Sequence, residues 1–125
     1  MSQMTSAPET LMLLCGVAVL GGIGAVLRFW LGGWSGYLPW GILAGNTVAS
    51  FVVGLNLPVP GNAVSTWLVV GLAGGLSTFS TFVAQTGWWL WKRGRVPALL
   101  NVLTNLGLPI LAVLAGASVS LTLLN

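Results

Sequence analysis

Charged side chains are nearly absent from this sequence of 125 residues. They make up 4% of it, and hydrophobic residues make up 56%. About a quarter of the residues in a soluble domain are usually charged, because its surface faces water. The composition therefore excludes an ordinary soluble protein and predicts an integral membrane protein of one domain. The net charge of +3 comes from only four basic residues, too few for a nucleic-acid-binding patch.

Side chains that carry protons or bind metals are just as scarce. Glu9 is the only acidic residue, Cys15 is the only cysteine, and histidine is absent. A proton-driven transporter usually needs a carboxylate inside the membrane, and a disulfide needs a second cysteine. We therefore expect neither proton coupling through a side chain nor enzymatic activity. The neutral hydrogen-bonding groups that remain suit passive permeation or helix packing.

Long apolar stretches are what the sequence does contain. About 20 such residues cross the ~30 Å hydrocarbon core as a helix. Four stretches reach that length, and turns rich in glycine, proline or basic residues separate them. The stretches cover residues 11–31, 38–57, 64–91 and 97–124. We expect an all-α membrane protein in which a disordered leader, residues 1–10, precedes one four-helix transmembrane domain, residues 11–125.

The basic residues predict an orientation in the membrane. Lys92, Arg93 and Arg95 lie in the third loop, whereas the second loop and both ends of the sequence contain no lysine or arginine. Basic residues accumulate in cytoplasmic loops. We therefore expect the chain to lie in the plasma membrane with loop 92–96 in the cytoplasm and both termini outside.

The third stretch contains the most unusual segment, GGLSTFSTF at 74–82. Its two glycines weaken a helix, and its four hydroxyls can bond backbone groups that a break would free. A straight helix over 64–91 would be ~42 Å long, so a break near the membrane midplane would absorb the excess. Freed carbonyl groups could coordinate a cation. A kinked helix that packs through its glycines, without an ion, explains the same residues equally well.

Phe79 and Phe82 lie three residues apart, so both face one side of a helix. The edge of an aromatic ring is electropositive, and ring edges along a path would favour an anion without trapping it. Burial in the protein core is the ordinary alternative for such a pair.

Polar side chains also interrupt the other apolar stretches. Asn46, Asn101 and Asn105 would be costly inside a membrane unless they are paired or hydrated. Hydrogen bonds between helices are one explanation, and N–H donors along an anion path are another. Arg28, near the end of the first stretch, either extends its charge to the interface or forms an electropositive vestibule for anions.

Four motifs occur in the order found in one known family. They are GGIGAVLRFW (21–30), GILAGNTVASFVVG (41–54), GGLSTFSTF (74–82) and LLNVLTN (99–105). Together they make the chain, after residue 10, similar to the small fluoride channels of the Fluc/CrcB family. The third motif is the most specific of the four.

This resemblance implies an antiparallel dimer with two fluoride pores and a structural sodium ion (Na+) on the dimer axis. The ion would bind the backbone carbonyls of Gly74 and Ser77, and Arg28 would lie in the vestibule. The implied function is passive export of fluoride from the cytoplasm. The residues that match the fluoride pore are Asn46, Phe79, Ser80, Thr81, Phe82 and Asn105.

Two departures from the family pattern keep alternatives open. Ile42 replaces a common threonine, and Pro109 stands where a small residue is more usual. The chain could therefore be a non-conducting partner subunit of a heterodimeric channel, or a small four-span exporter of another solute. The partner in an antiparallel dimer is either a second copy or an oppositely oriented homologue. Because the basic loop 92–96 should fix one orientation, we expect the homologue.

Overall fold

Helices form every regular element in residues 6–59 and 61–125, the part of the chain that the computed structural model describes. The prediction of an all-α protein is therefore confirmed for this part. The third span consists of two halves, separated by a break at Ser77 and Thr78. The elements are the first helix (Ala7–Gly32), the second helix (Trp40–Asn56), the third span's first half (63–76) and second half (Phe79–Lys92), and the last helix (Arg95–Leu124).

The first helix begins earlier than its apolar stretch. The expected leader, 1–10, ended at Thr10, but the helix starts at Ala7. Its start is capped by Glu9, whose Oε2 accepts a hydrogen bond from the Ser6 backbone N–H at 2.8 Å. A polar first turn of this kind belongs to the helix although its composition resembles a loop. The rest of the expected leader, residues 1–5, lies outside the described residues.

Three helical segments are long and apolar enough to cross a membrane within the described residues. They are Ala7–Gly32, Ala63–Lys92 and Arg95–Leu124. The second helix has 17 residues and so is about 26 Å long, near the lower limit for a span. It is shorter than the predicted stretch 38–57 because Pro39, with φ −78° and ψ 72°, stands outside it as the N-cap.

The predicted break in the third span is present, and its backbone is extended. Ser77 has φ −77° and ψ 153°, and Thr78 has φ −150° and ψ 121°. The second half has 14 residues, and the first half has the same length, so the break lies at the centre of the span. Part of the first half is a π-helix, which the sequence did not predict. The first half contains Ala63–Thr66 (α), Trp67–Ala73 (π) and Gly74–Leu76 (α).

The first helix and the first half of the third span touch backbone to backbone. A Cβ atom on Gly24 would clash with the Leu72 carbonyl oxygen, and one on Gly75 would clash with the Gly21 carbonyl oxygen. Small residues allow such close approach between membrane helices. This contact holds the chain that leads into the break against the first helix.

A two-residue turn joins the second half of the third span to the last helix. Gly94 has φ 94°, a conformation that other residues adopt only with strain. Arg93 Nη1 donates a hydrogen bond to the Gly36 carbonyl at 3.2 Å. The loop before the second helix and the basic loop therefore lie on the same side of the bundle, as a four-span topology requires.

Candidate functional site

The broken main chain of the third span is paired by one side chain from the second helix. The Thr78 N–H donates to Asn46 Oδ1 at 2.8 Å, and Asn46 Nδ2 donates to the Thr78 carbonyl at 3.3 Å. A backbone group buried without a partner is costly, particularly in a membrane. Asn46 therefore supplies the hydrogen bonds that a continuous helix would have given to Thr78.

The break also releases several carbonyl groups from helical hydrogen bonding, and those of Gly74 and Ser77 are among them. The N–H of Thr78, four residues after Gly74, donates to Asn46. The N–H of Thr81, four residues after Ser77, donates to the Thr78 hydroxyl at 3.3 Å. The carbonyls of Gly74 and Ser77, which the resemblance assigns to sodium, thus lack their helical donors.

Arg28 lies at the break rather than at the end of the bundle. Its Nη1 donates to the Ser77 carbonyl at 3.3 Å, and the residue is partly buried. It also borders a cavity of about 620 Å³, which Thr81 and Ile42 line as well. A carbonyl oxygen has two lone pairs, so the bond from Arg28 leaves the Ser77 carbonyl able to accept a second partner.

A chain of hydrogen bonds runs from Asn46 across the last helix, and we call it the asparagine chain. Asn46 Nδ2 donates to Asn105 Oδ1 at 3.4 Å, and Asn105 Nδ2 donates to Asn101 Oδ1 at 2.8 Å. Asn101 Nδ2 donates to Thr86 Oγ1 at 2.8 Å, and the Thr86 hydroxyl donates to the Phe82 carbonyl at 2.8 Å. Asn101 is fully buried, so pairing between helices accounts for its place in an apolar bundle.

The two phenylalanines are in contact but differ in burial. Their ring centroids lie 5.7 Å apart, and the ring planes are tilted by 54°. Phe82 is 7% exposed, whereas Phe79 is 73% exposed. Only Phe82 is therefore a core residue within this chain, and Phe79 presents its ring on the surface of the bundle.

One cavity, of about 210 Å³, collects most of these groups. It contains four of the six residues predicted for the pore, and no titratable side chain lines it. The other two lie beside it: Ser80 Oγ is 3.3 Å from Thr78 Oγ1, and Thr81 lines the cavity next to Arg28. The lining residues are Asn46, Ser50, Ser77, Thr78, Phe79, Phe82, Asn105, Leu106 and Pro109.

Thr78 and Thr86 were not among the predicted site residues, and Asn101 was considered as a possible N–H donor to an anion but was not assigned to the pore. Thr78 is the N-cap of the second half, and its hydroxyl accepts from the Thr81 N–H. Threonine is a preferred N-cap residue, so Thr78, which follows the weak helical stretch that begins at Gly74, could have been recognised from the sequence as the start of a new helix. Thr86 and Asn101 belong to the asparagine chain, and their pairing depends on how two helices pack, which local sequence does not reveal.

Comparison with known proteins places the chain in a family. The family model described as CrcB-like protein, Camphor Resistance (CrcB), matches residues 15–117. The chain belongs to the CrcB family. It is 42% identical to the fluoride-specific ion channel FluC of Klebsiella pneumoniae (strain 342), with 75% of this chain and 82% of that protein covered.

Other members of the CrcB family show similar coverage. The chain is 37% identical to the fluoride-specific ion channel FluC of Agrobacterium fabrum, with 80% of this chain and 89% of that protein covered. It is 33% identical to the fluoride-specific ion channel FluC of Geobacter sulfurreducens, with 80% of this chain and 90% of that protein covered. The resemblance inferred from the four motifs is thus confirmed, and the relatives are named as channels rather than enzymes.

Proposed function

We propose that this chain is a subunit of a fluoride-specific ion channel in the cell membrane, through which fluoride leaves the cytoplasm passively. One observation carries the proposal: the break places an asparagine amide and two phenylalanine rings around one cavity without a titratable side chain. The CrcB relatives named as fluoride-specific channels support the choice of ion.

Fluoride is small and strongly hydrated, so a pore must replace its water with good donors and still release it. Neutral amide donors and electropositive ring edges meet both demands, because neither carries a fixed charge. The charge of Arg28 lies in the neighbouring cavity, where it attracts anions toward the site without binding them permanently.

The amide of Asn46 has donors that an anion can take over. Its bonds to the Thr78 carbonyl and to Asn105 Oδ1 are 3.3 Å and 3.4 Å long. Both exceed the usual range for N–H···O bonds, about 2.7–3.2 Å, so they are weak. In the proposed mechanism fluoride replaces Asn105 Oδ1 as the acceptor of the Asn46 N–H, and the bond to Asn105 Oδ1 forms again when fluoride leaves.

The proposed assembly is an antiparallel dimer with two pores. Phe79 is largely exposed, and Ser80 beside it is also exposed; of the two, the serine hydroxyl is unfavourable against lipid. A second subunit on this face would cover both. The partner is a second copy or, given the basic loop 92–96, an oppositely oriented homologue, with both termini of this chain outside.

The proposed cation site is formed by main-chain oxygen. Gly74 and Ser77 border one cavity of about 200 Å³, and both carbonyls lack their helical donors. Carbonyl oxygens are suitable ligands for a hard monovalent cation. A structural sodium ion would bind them on the dimer axis, where the Ser77 carbonyl would have to bind both the ion and Arg28 and where the like charge of Arg28 would weaken the binding.

Reconstitution into liposomes with a fluoride electrode tests the proposal. Fluoride efflux from this chain alone supports a self-sufficient channel. Efflux only after a homologue is added supports a heterodimer, a possibility that Pro109 in the cavity wall keeps open. Efflux of an organic cation without fluoride would reject the channel and favour an exporter.

The proposed orientation has a separate test. The chain is expressed alone, and cysteines introduced at both ends are labelled with an impermeant reagent after Cys15 is replaced by serine. Labelling from the outside only is expected. Equal labelling from both sides would reject a fixed orientation and favour a homodimer.

A further inference from the structure

Thr86 and Asn101 lie outside the cavity that contains Asn46 and the two phenylalanines. Neither of them lines that cavity, and Asn101 is fully buried. Yet they are the far end of the asparagine chain, which reaches Asn46 through Asn105. The question is what these two residues do for the site.

The answer follows from the direction of each hydrogen bond. An asparagine amide has an acceptor at one end and donors at the other, so turning it over exchanges the two. The Thr86 hydroxyl has a single proton, which it donates to the Phe82 carbonyl. Toward Asn101 it can only accept, so the nitrogen of the Asn101 amide faces Thr86.

The orientation of the Asn101 amide then determines the orientation of the Asn105 amide. With its nitrogen toward Thr86, Asn101 presents Oδ1 to Asn105 and accepts from Asn105 Nδ2 at 2.8 Å. Asn105 therefore presents Oδ1, not Nδ2, to Asn46. A reversed Asn105 would place two N–H₂ groups against each other and push the Asn46 amide away from the break.

We propose that Thr86 and Asn101 are positioning residues for the fluoride site, because they determine which end of the Asn105 amide faces Asn46. The inference rests on the proposed function. It assigns to the second half of the third span a task beyond carrying Phe79 and Phe82: its Thr86 hydroxyl sets, through Asn101, the orientation of the Asn105 amide on the last helix.

The test compares Thr86→Val with Thr86→Ser in fluoride efflux from liposomes. Valine has a similar shape but no hydroxyl, so Thr86→Val is expected to lower the flux about tenfold, the effect of one lost buried hydrogen bond. Thr86→Ser keeps the hydroxyl and is expected to conduct within about twofold of the unchanged protein. Equal flux in both variants would overturn the inference.

Thr104→Val is the matched control. The Thr104 hydroxyl bonds only to carbonyls of its own helix, those of Leu100 at 2.8 Å and Asn101 at 3.3 Å. Its removal tests whether the loss of any threonine hydroxyl near the asparagine chain lowers the fluoride flux. A loss as large as that of Thr86→Val would reject a special role for Thr86.

A double-mutant cycle tests the route through Asn105. In the Asn105→Ala background the asparagine chain of hydrogen bonds is already interrupted, so adding Thr86→Val should lower the flux no further. The same tenfold factor in both backgrounds would show that Thr86 acts by another path. The size-exclusion profile verifies that each variant is folded, and Thr86→Ala replaces any Thr86→Val protein that is not.

Crystal structures of the unchanged protein and of Thr86→Val give a readout that does not depend on transport. The distance from Asn46 Nδ2 to the nearest Asn105 amide atom is expected to lengthen in the variant. An unchanged Asn46–Asn105 pair would overturn the inference. If the unchanged protein passes no fluoride, either alone or with an added homologue, the proposed function is rejected, and these two structures still decide the positioning roles.

Discussion

The two halves of the third span are held by different kinds of contact. The first half lies against the first helix, where glycines such as Gly24 and Gly75 let the backbones touch. Around the break and the second half, side-chain amides and hydroxyls take over, as in the pair formed by Asn46 and Thr78. Close packing thus fixes the approach to the break, and hydrogen bonds fix the break itself. The candidate ion site lies on the hydrogen-bonded side, where donors can exchange partners without repacking helices.

The largest expected effect comes from disturbing the packed side. Gly24→Ala places a Cβ atom against the main chain of the first half, which cannot move aside as a side chain can. We expect a loss of about 2–3 kcal/mol in stability and little folded protein on size exclusion. Gly22→Ala is the control, because a Cβ there meets nothing within 4 Å. Equal behaviour of the two variants would contradict the packed contact.

The next effect comes from removing the side chain that pairs the break. Asn46→Leu leaves the Thr78 N–H without its partner, takes one donor away from the Thr78 carbonyl and removes the proposed donor to fluoride. Fluoride flux is expected to fall by about a hundredfold or more, as two lost interactions would predict. Asn56→Leu, on the same helix, loses only a bond to its own helix at Val52 and should conduct normally. Undiminished flux in Asn46→Leu would contradict the assigned role.

The two phenylalanines should differ in their effect on stability because one is buried and the other is exposed. Phe79→Ile and Phe82→Ile are each expected to lower fluoride flux about tenfold, since isoleucine has no electropositive ring edge, while the dimer stays intact. Phe82→Ile should also lower the thermal midpoint, because Phe82 is 7% exposed. Phe51→Ile is the control for aromatic loss elsewhere in the bundle. Unchanged flux in both variants would remove the role of the ring edges.

The smallest expected effect concerns the charge beside the break. Arg28→Gln removes the charge that attracts anions, and because glutamine is shorter than arginine it also loses the bond to the Ser77 carbonyl. We expect fluoride flux to fall about threefold at low ionic strength and by less at high salt, where the field is screened. Efflux measured across a salt series is the readout. A reduction that is the same at every salt concentration would limit Arg28 to its hydrogen bond.

Local sequence predicted the break but not the way the break is paired. Gly74, Gly75 and the hydroxyls after them weaken a helix wherever it packs, so the interruption could be located from the sequence. The π-helical turns of Trp67–Ala73 could not, because the same residues are equally compatible with an α-helix. The start of the first helix was placed too late, since a capped polar turn resembles a loop.

The candidate site shows the same division. Asn46 and Asn105 were predicted as donors to an ion, and the structure adds that both are also paired with protein groups. Thr86 was missed because a threonine within a helix usually bonds only to its own backbone. Its contact with Asn101 joins two helices and depends on their packing angle, which no short motif encodes.

The two-residue turn at Arg93 and Gly94 also bears on the order of assembly. It joins the second half of the third span and the last helix into a hairpin, so Thr86 and Asn101 are only 15 residues apart along the chain. Contacts that are close in sequence form fastest, because little chain entropy is lost in closing them. The bond from Asn46 to Asn105 spans 59 residues. We therefore expect the Thr86–Asn101 contact of the hairpin to form before the Asn46–Asn105 contact, which joins the second helix to the hairpin.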